Sequence, residues 1–303
     1  MRSPARGNKA VLFFLLYFFA AQVVIYLVPQ AAGIEPGALF LMALSQIFGL
    51  FVPFLFYLLF TKQKFKDVLL LTPLSLRHAL LVFFISIAII PMVHMTSRLF
   101  SFVFHPMVIQ AMVEMAAAPL WASLLVIGIF PSLFEEFLFR GAIYKEYEPV
   151  SIRTRAVMTG LFFGIMHLNF HQSLYAFLFG ILYAYILYYT RSILAPMLLH
   201  FVNNSLSVIM VRSSALMDGY LELWESPAMF LMIFGGFSLA MLPVLVISLK
   251  ELRSYHSRHF PPALTEGEAD GSSGKPKMFT WAFWLVLVLF LLVAGLTERG
   301  LRM

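Results

Sequence analysis

Two adjacent glutamates and an arginine, Glu135, Glu136 and Arg140, stand inside one of the most apolar stretches of the chain. Leu120 to Phe134 precede them, fifteen residues without a charge, and Phe137, Leu138 and Phe139 fill the gap to Arg140. Two later apolar stretches each carry a histidine, His167 and His200, and the second adds Asn204. Ionisable groups at membrane depth are costly, so a cluster of them there points to function. Carboxylates beside histidines can do general acid–base work. On a helix Glu136 and Arg140 are i and i+4 with the acid first, the better orientation for an ion pair. That pair by itself reads as structural. It leaves Glu135, about 100° round the helix, as an unpaired carboxyl suited to a general base.

The elements that must position these groups follow from composition. The chain of 303 residues is 61% hydrophobic and 12% charged, whereas soluble domains carry about 25% charged residues. Uncharged runs near the roughly 20 residues of a spanning helix predict nine spans, at about 10–29, 37–60, 79–97, 120–143, 155–170, 173–190, 193–211, 227–249 and 278–297. Lipid admits only helices and closed barrels. The expected fold is therefore all-α, a polytopic transmembrane bundle of about eight or nine spans with a four-helix core. Residues 1–119 form an N-terminal scaffold, 120–211 the core, and 212–303 the C-terminal spans with a polar cytosolic linker at about 251–277. His256 and His259 in that linker read as solvated. Residues 61–78 and 99–119 read as amphipathic connectors along the interface.

The run from Ala10 to Pro29 is longer than the 7–15 apolar residues of a signal peptide, so the first segment reads as an uncleaved span. With no cysteine, disulfides, iron–sulfur clusters, thiolate zinc sites and a cysteine nucleophile are excluded. The net charge of +6 belongs to loops rather than to nucleic-acid binding. Cations gather at the N-terminus (Arg2, Arg6, Lys9) and in alternate loops (Lys62 to Arg77, Lys145 to Arg155, Arg191, Lys250 to Lys277), while another loop holds Asp218, Glu222 and Glu225. The positive-inside rule then places the N-terminus in the cytosol, and the C-terminus outside if the ninth span crosses.

Depth links the candidate residues. Glu135 is ten residues before Lys145, His167 twelve after Arg155, and His200 nine after Arg191. At 1.5 Å per residue these are depths of about 15, 18 and 14 Å, close to the midplane of a core about 30 Å thick. A lone histidine on an apolar helix is ordinarily a satisfied core residue, and His200 with Asn204 at i and i+4 is ordinarily interhelical hydrogen-bonding. Coincidence at one level is what a shared site requires. His171 forms an i, i+4 pair with His167 that could bind metal, but it falls in a short outside loop and reads as interfacial. Pro131, one turn before the glutamates, opens the helix locally.

EEFLFR at 135–140, FGIMH at 163–167 and HFVNN at 200–204 resemble, in order and spacing, the EExxxR, FxxxH and HxxxN motifs of the intramembrane CaaX-protease and bacteriocin-processing family, CPBP or Abi. The resemblance covers about residues 115–210. It implies a membrane endopeptidase in which Glu135 and His167 activate a water and His200 and Asn204 stabilise the oxyanion, with Glu136 and Arg140 in support. The family is commonly labelled a metalloprotease. Glu135, His167, His200 and Asn204 could ligate zinc, although HExxH, the usual helical zinc-protease signature, is absent. Metal-dependent and glutamate-dependent mechanisms both stay open, with a lean to the metal-free one.

The expected partners are membrane lipid and a protein or peptide substrate, lipidated CaaX proteins among them, in a bacterial-type inner membrane. A non-catalytic scaffold or immunity protein of the same fold is the main alternative. A proton-coupled transporter would predict an internal repeat or paired broken helices, and the sequence has neither.

Overall fold

In lipid every backbone N–H and C=O must be satisfied within its own segment, and the long apolar runs accordingly form helices. A computed structural model describes residues 2–106, 118–260 and 277–302, and every regular element among them is helical. The helices are α1 (Pro4–Ala31), α2 (Ala38–Thr61), the short α3 (Phe65–Val68), α4 (Leu76–Phe100), α5 (Leu120–Glu146), α6 (Ile152–Ile165), α7 (Phe170–Thr190), α8 (Leu194–Arg212), α9 (Ser214–Glu225), α10 (Pro227–His259) and α11 (Trp281–Arg302). Side-chain oxygens of Ser3, Ser75, Ser151 and Asn169 cap α1, α4, α6 and α7 by accepting first-turn N–H groups. Among the described residues eight helices are long and apolar enough to cross a membrane, as in an integral multi-pass membrane protein.

The expected span at 155–170 differs. Its helix, α6, has 14 residues, a length of about 21 Å against a hydrocarbon core of about 30 Å. The chain leaves the helix at Met166, and Leu168 turns it with a φ of 57°. Asn169 then starts α7 by accepting from the Gln172 N–H at 2.7 Å. His167 therefore lies in the α6–α7 turn rather than on a span.

Helices α6 and α7 come into close contact because Gly160 and Gly164 face α7. A Cβ at Gly164 would stand 2.5 Å from the Ser173 carbonyl oxygen, and one at Gly160 would stand 2.9 Å from that of Phe177. Small residues four apart are what let membrane helices approach this closely. Around this hairpin, α4 packs on α7, α8 and α10, α8 on α5, and α1 on α2 and α11.

The connectors match the expected ones in part. Within residues 61–78, Val68 and Leu69 are fully buried and the Leu70 carbonyl accepts from the Ile193 N–H at 2.8 Å, while most of the other side chains are exposed. The run Val68 to Leu71 is apolar enough to wedge beneath α5, where Leu69 packs on Gly141. The linker at 251–277 begins later, because α10 continues to His259; residues 261–276 lie outside the described residues. His256 is part-buried and packs on the Tyr188 ring at 4.3 Å; His259 stays exposed, as the solvated reading expects, and stacks on Tyr255 at 4.1 Å within the helix. Of the connector at 99–119, residues 107–117 lie outside the described residues.

Candidate active site

The helix bearing the acids is not uniformly α-helical. In α5 two π-helical segments, Leu124–Ile129 and Phe137–Ile143, flank the α-helical turn Phe130–Glu136. Single π turns inside helices occur frequently at functional sites. Pro131 has no N–H to offer the carbonyl four residues back, Ile127. Asn204 of α8 supplies a donor, its Nδ2 reaching that oxygen at 2.9 Å. A carbonyl can only accept, so this bond fixes which end of the amide is nitrogen. Asn204 thus ties α8 to the opened turn of α5 and keeps one further N–H.

The two glutamates are separated as the helical spacing requires. Glu136 is fully buried, and its Oε1 accepts from Arg140 Nη1 at 3.2 Å and from His200 Nδ1 at 3.0 Å. Arg140, also buried, donates from Nη2 to the Gly180 carbonyl of α7 at 3.1 Å. Its guanidinium lies 4.5 Å from the centre of the Phe163 ring and 5.0 Å from that of Tyr183, a cation–π arrangement that eases burial of the charge. One arginine therefore locks α5, α6 and α7 together. Glu135 faces the other way, part-exposed, with Oε2 3.9 Å from His200 Nε2.

The histidines are oriented through their Nδ1 atoms. His167 Nδ1 sits 2.8 Å from the Phe163 carbonyl, which can only accept, so Nδ1 carries a hydrogen. The His167 carbonyl is held in turn by Asn169 Nδ2 at 2.9 Å. His200 Nδ1 donates to Glu136. In both rings Nε2 is left for chemistry. Phe163, the first residue of the FGIMH motif, contacts both imidazoles edge-on, with ring centres 5.0 Å from His167 and 6.1 Å from His200. His167 lies within electrostatic reach of both Glu135 and His200.

The structure thus brings Glu135, Glu136, Arg140, His167, His200 and Asn204 into one region of α5, α8 and the α6–α7 turn. His171 is not part of it. The turn at 166–169 breaks the i, i+4 relation to His167, and His171 is buried against α4 with Nε2 2.9 Å from the Ser97 carbonyl. Tyr183 and Phe163 are additions that motif spacing alone leaves without a role. A tyrosine well inside a spanning helix, away from the interfaces where tyrosine concentrates, is the one sequence signal that marks Tyr183.

With that geometry in place the comparisons can be weighed. Residues 117–206 match the family model described as type II CAAX prenyl endopeptidase Rce1-like. The matched segment contains all three motifs, and the CaaX-protease resemblance is borne out. An Rce1-like match suggests CaaX-type intramembrane protease activity. No curated protein and no solved structure matched the chain.

A zinc ion is the cofactor the motif residues could hold. Both imidazoles have the Nδ1 acceptors that orient metal ligands. Among the described residues, however, no three His, Asp or Glu side chains are grouped as a metal site. The described residues as placed do not form a metal cradle.

Proposed function

We propose that this protein is an intramembrane endopeptidase that hydrolyses peptide bonds of membrane-associated or lipidated proteins through a water activated by Glu135 and His167. The observation that carries the reading is the division of labour between the adjacent acids. Glu136 is consumed by Arg140 and His200, while Glu135, one residue away, makes no hydrogen bond among the described residues and faces His200 Nε2 at 3.9 Å. A structural ion pair needs one carboxylate; the second is left free to take a proton.

The water lies between the Glu135 carboxylate and His167 Nε2, which accepts one of its hydrogens while Nδ1 stays bound to Phe163. Glu135 takes the other proton as the water oxygen attacks the scissile carbonyl carbon, giving a tetrahedral oxyanion. Asn204 donates its remaining amide hydrogen to that oxyanion. His200 serves there as a donor when both its ring nitrogens are protonated, Nδ1 bonded to Glu136 and Nε2 to the oxyanion. Collapse breaks the C–N bond, and the proton on Glu135 passes to the leaving amine. Preorganised donors of this kind contribute about 3–4 kcal/mol each in other hydrolases.

The catalytic core we assign to residues 120–211, with the flanking helices as scaffold. The cation-rich loops support a cytosolic N-terminus. The family match supports a peptide substrate in the membrane, and lipidated CaaX proteins are the first class to test. Purified protein in nanodiscs should cleave a farnesylated peptide ending in a CaaX sequence and leave its unprenylated counterpart largely intact. Cleavage of neither peptide, or of any peptide equally by wild type and Glu135→Gln, would count against the reading.

A further inference from the structure

Away from the acids, at the Arg191 end of α7, a cleft of about 280 Å³ opens between α7 and α10. Its two walls carry the same gradient. Along α7 the lining runs from Leu182 through Tyr185 to Tyr189, and along α10 from Val246 through Lys250 to Arg253. Residues three and four apart share a helix face, so each set forms one stripe. Val246 to Arg253 spans about 10 Å along the axis. Both stripes are apolar toward the middle of the bundle and polar toward its end. Near the same end Tyr188 of α7 and His256 of α10 bring their rings to 4.3 Å.

The two cations are unengaged. Glu251, the acid between them in sequence, is held by Arg77 at 2.6 Å and Arg258 at 3.6 Å, and Lys250 and Arg253 have no ion-pair partner among the described residues. Basic pockets between membrane helices recognise anionic headgroups. Here the apolar half of the cleft adds room for a chain, and the tyrosine hydroxyls add donors at headgroup level. We propose that this cleft binds one anionic phospholipid, its phosphate between Lys250 and Arg253 and an acyl chain along Leu182 and Val246. This site is separate from the proposed peptidase centre and does not depend on it.

Native mass spectrometry of the full-length protein with phosphatidylglycerol or phosphatidylcholine tests the assignment. One phosphatidylglycerol should bind in preference to phosphatidylcholine. A Lys250→Gln/Arg253→Gln double variant should weaken it about thirtyfold, roughly fivefold per cation. Val246→Trp, which fills the cleft and keeps both charges, should also remove it, and inorganic phosphate should not displace it. Lys64→Gln/Lys66→Gln, the same charge loss at other exposed positions, should leave binding unchanged. Equal binding of the two lipids, an equal loss in the Lys64/Lys66 control, undiminished binding in Val246→Trp, or displacement by inorganic phosphate would each overturn the proposal.

Discussion

Replacing each acid of the pair with its amide separates structure from chemistry. In Glu136→Gln the buried guanidinium of Arg140 loses its counter-charge at 3.2 Å, and His200 Nδ1 meets a neutral amide oxygen in place of the carboxylate it contacts at 3.0 Å. Breaking a buried pair from one side costs about 3–5 kcal/mol. Arg140 retains the Gly180 carbonyl at 3.1 Å and the Phe163 face at 4.5 Å, which places the expected loss at the lower end, about 3 kcal/mol. Glu135→Gln removes no hydrogen bond among the described residues, and its stability should stay within about 0.5 kcal/mol of wild type. Its turnover should nevertheless fall by the full general-base factor, about 10²–10⁴. Unfolding titrations in mixed micelles and cleavage kinetics on the same preparations read both quantities. Glu136→Gln should lose stability and, through His200, activity; Glu135→Gln should lose activity alone. Equal activity loss with undiminished stability in both variants, or a strongly destabilised Glu135→Gln, would refute the division.

Three further outcomes follow from the same contacts. Asn204→Ala should lower turnover about 10²–10³-fold and destabilise by about 1 kcal/mol by orphaning the Ile127 carbonyl; kinetics and unfolding titrations read the two separately. Arg140→Lys should be poorly tolerated, at about 2–3 kcal/mol, because one ammonium cannot reproduce the planar fork between Glu136 and Gly180 or its stacking on Phe163. Gly164→Ala should cost about 1–3 kcal/mol by overpacking α6 on α7 and should reduce activity by displacing His167 three residues on, seen as a fall in kcat.

Spacing alone predicts the Glu136–Arg140 pair and the outward turn of Glu135, since both are properties of a single helix. The arrival of His200 at Glu136 is not local: it depends on α8 packing against α5, which no residue interval encodes. Hydropathy merged α6 with its turn because it is blind to the left-handed Leu168, although Asn169 three residues before Gln172 is a helix-start signal. Apolarity likewise cannot distinguish lipid from protein as the surroundings of Val68 and Leu69, whose burial depends on Gly141 leaving them room. Composition put the end of α10 in a solvated linker; its last turn is indeed exposed, but it is helical to His259, with ring contacts of Tyr255 and His256 along it. Pro131 is the instructive intermediate case: its missing N–H is plain in sequence, and only the fold shows Asn204 answering it.

The central claim is that Glu135, without a metal ion, activates the water that cleaves the peptide. Purified wild type and Glu135→Gln, each incubated with a membrane-peptide library with and without a strong chelator and followed by mass spectrometry, test it directly. Cleavage by the wild type that survives chelation, and none by Glu135→Gln in either condition, is the predicted result. Stoichiometric zinc in the active enzyme, with activity abolished by the chelator and metal lost in His167→Ala, would contradict it.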